Sequence, residues 1–444
     1  MKPRAKATKA SRERMLICGV LLGDQKAEPD GELSELKGLV SAAGGEVVGE
    51  PITQRRDRAH PATAMGKGKV QEIKAEIDAL EPDAVVVDND LTPAQGRNLE
   101  KAWECRVIDR SELILDIFVG RARTRQAKLQ VELAQNEYMA PRLRRLWTHL
   151  ERLEGAIGSR GPGETQLETD RRLLRKRITE LKRELKEIEA RKLREVVSRS
   201  EQFTIGLVGY TNAGKSTLMN RLTGSDVLVA DMLFATLDTR TRQWKLSDGR
   251  TVLLSDTVGF LGRLPHHLVA SFHATLEETL NADLLLHVVD ASHADAHEQM
   301  AAVDEVLGNL AHSTRAGVLV LNKIDKVRDP IELHFLANGR EERVVHVSAA
   351  TGEGIDRLDG IICKALDARS SLLNIRLPLS DGRSAALVRQ YGLVLGEALE
   401  GDEFLVFRVR MDEGALGNLK RAAGPELVYE TLEPALEPLI EPGA

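Results

Sequence analysis

The sequence predicts an α/β protein in four parts: an N-terminal parallel βα domain, a long helical hairpin linker, a P-loop α/β domain and a small C-terminal α+β domain. Three observations carry the prediction. Short apolar runs alternate with amphipathic stretches over residues 15–120, a basic heptad-like stripe crosses 121–200, and a strand runs straight into a glycine-rich loop and a helix at 203–223. With 444 residues the chain has room for about three domains of roughly 150 residues each. Hydrophobic residues make up 42%, yet no apolar run approaches the roughly 18 residues of a membrane helix, so a soluble protein is expected. Cys18, Cys105 and Cys363 are too scattered for a metal knuckle or a disulfide framework, which fits a reducing cytoplasm. A partial peripheral association with a membrane stays open.

Taken in order, residues 1–14 form a basic arm, with Lys2, Arg4, Lys6, Lys9, Arg12 and Arg14 ahead of the apolar run that starts at Met15. A cleaved signal is rejected because no small-residue cleavage pattern follows; an organellar transit segment is the minor alternative. The arm is expected to be disordered. Strands are expected at 16–21, 47–52, 84–87 and 107–108, and helices at 33–40, 70–80, 93–103 and 111–119. Such βα repeats imply a parallel sheet covered by helices over 15–120. Within it Gly66-Lys67-Gly68-Lys69 reads either as a basic loop that could hold a phosphate or as a plain turn with solvated lysines.

Residues 121–200 are the positive pole, with 21 basic against 12 acidic side chains in a chain of net charge −6. Leu167, Leu174, Ile178, Leu181, Leu185 and Ile188 keep one apolar face, predicting a single helix over 166–197, about 48 Å long. An earlier helix over 124–139 would pair with it as an antiparallel hairpin, a nearer partner than a second chain, so a monomer is expected. The connection over 155–164 is rich in glycine and is expected as an irregular exposed tip. Around Arg160, Gly161, Pro162 and Gly163 it would let backbone and guanidinium approach an RNA base or phosphate chain closely.

The strand at 203–208 leads into Gly209-Tyr210-Thr211-Asn212-Ala213-Gly214-Lys215-Ser216 and a helix at 217–223, a complete phosphate loop in its required context. Its amides face the phosphates, Lys215 neutralises the β and γ oxygens, and the Ser216 hydroxyl can ligate Mg2+. A strand at 252–254 ends in Asp256-Thr257-Val258-Gly259, where Asp256 supports the magnesium shell from its second layer and the Gly259 amide meets the γ-phosphate. A strand at 319–321 ends in Asn322-Lys323-Ile324-Asp325. Asp325 can accept from the exocyclic amine and ring N–H of guanine, a donor pair adenine lacks, and so specifies GTP. The run 344–347 leads into Ser348-Ala349-Ala350, a small-residue turn for the guanine carbonyl. Four elements at strand C-terminal ends define residues 201–370 as a P-loop GTPase G domain that takes GTP and GDP with Mg2+.

Several stretches resemble the HflX family of translation-factor-class GTPases. Residues 121–143, with Lys128-Leu129-Gln130-Val131-Glu132-Leu133, are similar to its linker helices; Arg160 to Glu168 is similar to its signature loop; Phe234-Ala235-Thr236-Leu237-Asp238 is similar to its first switch. The resemblance covers about residues 15–370. It implies that Thr236 ligates Mg2+ when GTP is bound and that the partner is the large ribosomal subunit and its rRNA. It further implies an activity that separates stalled or idle ribosomes into subunits. Thr239 stands where the family often has proline, which implies a looser first switch.

Lys215, Thr236 and Gly259 are the expected catalytic groups. Many switch GTPases place a water-orienting glutamine after Asp-x-x-Gly, but here Phe260 follows Gly259 and cannot hydrogen-bond. Hydrolysis should be slow alone and completed by a partner; His266 and His267 read as surface residues rather than substitutes. Residues 371–432 are expected as an α+β unit with strands at 373–377, 392–398 and 403–409 and helices at 385–391 and 414–422; residues 433–444 read as a tail. Two other readings are an ATP- or GTP-fuelled RNA remodeller working through the N-terminal domain and a non-ribosomal signalling GTPase.

Overall fold

The computed structural model describes residues 12–23, 33–143, 162–198, 203–224, 233–234, 240–256, 259–261, 282–310, 317–337, 344–423 and 427–434. The chain divides into two compact units: residues 1–189 with 230–238 and 261–274, and residues 190–229 with 239–260 and 275–444.

The first unit is organised on β1 (Arg14–Leu22), which pairs in parallel with β2 (Glu46–Val47), β3 (Ile52–Arg56) and β4 (Ala84–Val87); β5 (Arg106–Asp109) extends β4. The single strand expected at 47–52 is two strands, because Gly49 turns the chain at φ 72° and Pro51 has no N–H for a ladder. Helices α1 (Ser34–Ala42), α2 (Lys67–Leu80), α3 (Pro93–Trp103) and α4 (Arg110–Arg121) follow the expected rhythm. Leu16, Cys18, Ile73, Val85, Val87, Leu99 and Trp103 form one buried core between sheet and helices. Thr92 closes a capping box with Gln95 at the start of α3, and Pro93 stands in its first turn, where no amide partner is lost.

The hairpin is formed by α5 (Arg125–Met139), capped by Thr124, and α6 (Pro162–Ser198), 37 residues or about 55 Å long. Leu129 and Leu133 pack against Leu181 and Leu185, with Ile178 and Ile188 flanking the seam. Across it Arg177 donates to both Glu132 oxygens at 2.7 and 2.8 Å, and Lys182 meets Glu137 at 2.8 Å. The helix starts earlier than expected: Pro162 and Gly163 belong to its first turn, not to an irregular tip, since proline pre-sets a helical φ there. Arg160 and Gly161 lie outside the described residues.

The second unit contains two sheets. The six-stranded sheet has the order β11-β10-β9-β6-β8-β7, comprising β6 (Thr204–Val208), β7 (Arg240–Lys245), β8 (Thr251–Asp256), β9 (Leu284–Asp290), β10 (Gly317–Asn322) and β11 (Val344–His346). All its pairings are parallel except β7 with β8. Two of these strands, the polar edge strand β7 and the central β9, go beyond those expected from the sequence. Ile205, Leu207, Leu218, Val252, Leu254, Leu286, Val288, Val320 and Ile362 are buried in its main core.

The C-terminal sheet is antiparallel in the order β13-β14-β12-β15, with β12 (Ser371–Pro378), β13 (Leu393–Glu400), β14 (Phe404–Met411) and β15 (Val428–Glu433). Two helices, Gly382–Tyr391 and Glu413–Ala423, contribute Val388 and Leu419 to a core with Leu373, Ile375, Phe407 and Val409. Glu433, expected to start a tail, instead ends β15: it pairs with Leu372 and accepts from Arg410 at 3.0 Å.

Candidate nucleotide site

The site lies at the C-terminal ends of β6, β8, β10 and β11, all within the second unit. The phosphate loop leaves β6 at Gly209, whose φ of 149° and missing Cβ are both required, since a methyl there would strike the Val288 carbonyl. Asn212 at φ 61° and Gly214 at φ 92° complete the turn into α7 (Lys215–Thr223). Lys215 is 6% exposed and its Nζ donates to the carbonyls of Gly209 at 2.9 Å and Tyr210 at 2.8 Å. Burial pushes this ammonium down to about 8, with the Asp256 charge pulling the other way. The lysine is therefore held where phosphate charge would repay its desolvation.

Ser216 donates its hydroxyl to Asp256 Oδ2 at 2.8 Å, and Asp256 is 1% exposed at the end of β8. A hydroxyl and a buried carboxylate are thus already paired, which fits the hard oxygen donors that Mg2+ prefers.

Gly259 lies directly against the phosphate loop. A Cβ there would stand 2.8 Å from Thr211 Cγ2, 2.9 Å from Thr211 Cα and 3.1 Å from Lys215 Nζ. Only glycine permits that approach. Phe260 does not face the phosphates: it is 2% exposed, in a pocket with Val208, Ala282, Leu285 and Val303.

The base end is preassembled as well. Asn322 Nδ2 donates to the Ala213 carbonyl at 2.8 Å, while its Oδ1 accepts from the Ala349 amide at 3.0 Å, tying the phosphate loop to the Ser348-Ala349-Ala350 turn. Ser348 Oγ donates to Asp325 Oδ1 at 2.6 Å and leaves the second carboxylate oxygen for a base. Lys323 sits at φ 61° and pairs with Asp290 at 2.6 Å; Ile324 and Asp325 follow in a short 3-10 turn. The structure therefore brings together residues 209–216, Asp256, Gly259, Asn322 to Asp325 and Ser348 to Ala350. Ala235, Thr236, Leu237, Asp238, Thr257, Val258, His266 and His267 lie outside the described residues. Phe234 is described: it belongs to the first unit, 2% exposed, its ring edge-on to Phe118 with centroids 4.8 Å apart.

In the first unit, Gly66-Lys67-Gly68-Lys69 is not a free phosphate loop. Gly66 caps α2 and gives its amide to Gln54 Oε1 at 2.8 Å, and Lys69 pairs with Glu72 at 2.7 Å. At the C-terminal ends of β4 and β5, Arg110 is 1% exposed and meets Asp88 and Glu35 at 2.6 Å each, while Asp109 meets Arg142 at 3.1 Å. These charges satisfy one another.

A mostly parallel sheet with a phosphate loop after its first strand, a carboxylate beside the loop's serine, and an Asn-Lys-x-Asp aspartate at the end of a further strand defines a P-loop GTPase, an enzyme that hydrolyses GTP. Residues 30–119 match a family described as GTP-binding GTPase N-terminal, 121–199 one described as GTP-binding GTPase middle region, and 204–323 one described as 50S ribosome-binding GTPase. The chain is 46% identical to the GTPase HflX of Escherichia coli K12 over 86% of its length and 89% of that protein. It is 43% identical to the GTPase HflX of Lacrimispora saccharolytica, covering 90% of this chain and 93% of the relative. The chain belongs to the HflX family of GTPases. Among solved structures, a GTP-binding protein of Sulfolobus solfataricus in complex with GDP is similar at 23% identity with a TM-score of 0.43, covering 79% of this chain and 98% of that one.

Proposed function

We propose that this GTPase binds the large ribosomal subunit and, driven by GTP binding and hydrolysis, separates stalled or idle ribosomes into subunits. The observation that carries the reading is the outer face of α6. Arg172, Arg175, Lys176, Arg183 and Lys186 are exposed away from the Leu181 and Leu185 seam, a cationic face about 21 Å long suited to rRNA phosphates. The match of residues 204–323 to a family described as 50S ribosome-binding supports the same partner.

Mg2+ would be held by Ser216 and Thr236, with Asp256 supporting it through a shell water, and would neutralise charge between the β- and γ-phosphates. Lys215 and the Gly259 amide take the remaining oxygens. With Phe260 turned into an apolar pocket, no glutamine stands at that position to orient water. The partner then supplies or positions the missing polar group, and hydrolysis releases the switches.

The test is steady-state GTP hydrolysis with and without purified large subunits, Lys215→Ala serving as the blank, together with subunit separation on a density gradient. Stimulation by the large subunit and GTP-dependent splitting are expected. Splitting that is unchanged when Arg160 to Gly163 are replaced by a neutral linker would remove this signature segment from the mechanism. GTP turnover unaffected by large subunits would point to another activator.

A further inference from the structure

Helix α7 begins at the phosphate loop and ends beside the Ser348-Ala349-Ala350 turn. Lys215 and Ser216 stand in its first turn; six residues on from Lys215, Arg221 reaches the Ser348-Ala349-Ala350 turn, donating through Nε to the Ala349 carbonyl at 3.1 Å and through Nη2 to the Ala350 carbonyl. The guanidinium also lies beside Gly352, whose φ is 93° and where a Cβ would stand 3.7 Å from Arg221 Cζ. The turn's other bonds hold different atoms. Ser348 receives the Gly352 amide on its carbonyl at 2.8 Å and gives its own amide to Glu353 at 2.9 Å, and the Ala349 amide goes to Asn322. Arg221 thus fixes the two carbonyls that those bonds leave out, and with them the planes of the 349–350 and 350–351 peptides, the second of which is also held by the Thr351 amide on Ser348 Oγ at 3.1 Å.

We infer that Arg221 is a positioning residue for guanine: it locks the Ala349 and Ala350 peptides in the orientation that reads the base carbonyl and couples that turn mechanically to the phosphate-loop helix. The inference rests on the assignment of Asp325 and the Ser348 turn as the base site. A fork of two charge-assisted bonds is suited to this because it sets both distance and plane, whereas a lysine in its place would set only distance. Both bonds exist without nucleotide, so only the loss of order in the turn reaches the ligand: an effect of roughly tenfold is expected, mainly in the dissociation rate.

The experiment compares Arg221→Ala, Arg221→Lys and Asp325→Asn with the parent, all as full-length chains. It measures GDP affinity and dissociation with a fluorescent GDP, pyrophosphate affinity by competition, and the melting temperature without nucleotide. Arg221→Ala should release GDP about tenfold faster while pyrophosphate affinity stays within twofold, and Arg221→Lys should recover part of the loss. GDP binding by Arg221→Ala within twofold of the parent overturns the inference; so does an equal loss of GDP and pyrophosphate, which would mean a damaged helix. Should the alanine variant fold poorly, Arg221→Met, which keeps the apolar stem, is read by the same two ligands. Asp325→Asn separates the two levels: if it weakens GDP while Arg221→Ala does not, the inference alone fails, and if it leaves GDP binding intact the base-site assignment fails with it.

Discussion

The amide of Thr211 donates to the carbonyl of Phe260 at 2.6 Å, and the Phe260 amide donates back to Gly209 at 3.1 Å. The residue after Asp-x-x-Gly is thereby paired by its backbone to the phosphate loop while its ring is sunk among Val208, Leu285 and Val303. A side chain at 260 reports on packing in this conformation, not on the attacking water. Phe260→Gln should therefore fail to accelerate intrinsic hydrolysis, and it should cost about 2–4 kcal/mol by burying an amide where a ring was. Single-turnover GTP hydrolysis and a urea melt check both parts; a faster enzyme of unchanged stability would contradict this placement.

Lys215 should make binding of phosphate pH-dependent. Its ammonium is lowered to about 8 in the nucleotide-free chain, and a bound phosphate favours the charged form, so GDP affinity should fall as pH rises through about 8 and binding above that pH should take up a proton. Calorimetry at about pH 9, one unit above that value, in two buffers of different ionisation enthalpy measures the uptake. For folding the sign is opposite: between about 8 and the ordinary 10.5 the unfolded chain holds the extra proton, so this group makes the nucleotide-free protein more stable as pH rises. Lys215→Ala should abolish hydrolysis.

The hairpin's seam sets its stability. Leu181 is fully buried between α5 and α6, and Leu181→Ala should cost about 2–4 kcal/mol, since the two helices can only partly close the gap. Arg177→Ala, which removes a bidentate but half-exposed pair with Glu132, should cost about 1 kcal/mol or less. Thermal melts of the two variants should differ in that order.

Charge on the outer face of α6 should act on RNA and not on nucleotide. Arg172, Arg175 and Arg183 changed together to Glu should weaken binding to rRNA and flatten its salt dependence by about 0.7–0.9 in log–log slope for each phosphate the rod no longer neutralises. GDP affinity and ribosome-free hydrolysis should stay unchanged. A slope equal to the parent's would move the RNA-binding surface away from this face.

Much of the G domain is legible directly because its chemistry is local. Residues 209–216, Asp256 and Asn322 to Asp325 each follow a short apolar strand, so motif and strand end announce each other in the chain. Strand β9, Leu284–Asp290, carries no motif of its own to announce it, although its sequence LLLHVVD is the continuous apolar run of a central strand. By contrast β7, RTRQWK, and β15, VYETLE, are edge strands whose exposed residues carry no clear alternation of apolar and polar positions. Pro162 and Gly163 read as loop because both usually break helices, yet at a helix start neither penalty applies.

The sequence by itself determined the order of domains, the phosphate loop, the Asn322 to Asp325 motif at the end of its strand and the apolar seam of the hairpin, because each depends on residues spaced within a turn or a strand. Tertiary structure alone decided that Phe260 turns inward, that Gly66 spends its amide on Gln54, and that Arg221 grips carbonyls 128 and 129 positions away. Those bonds join segments far apart in the chain, and no local pattern encodes the direction in which a side chain will find its partner.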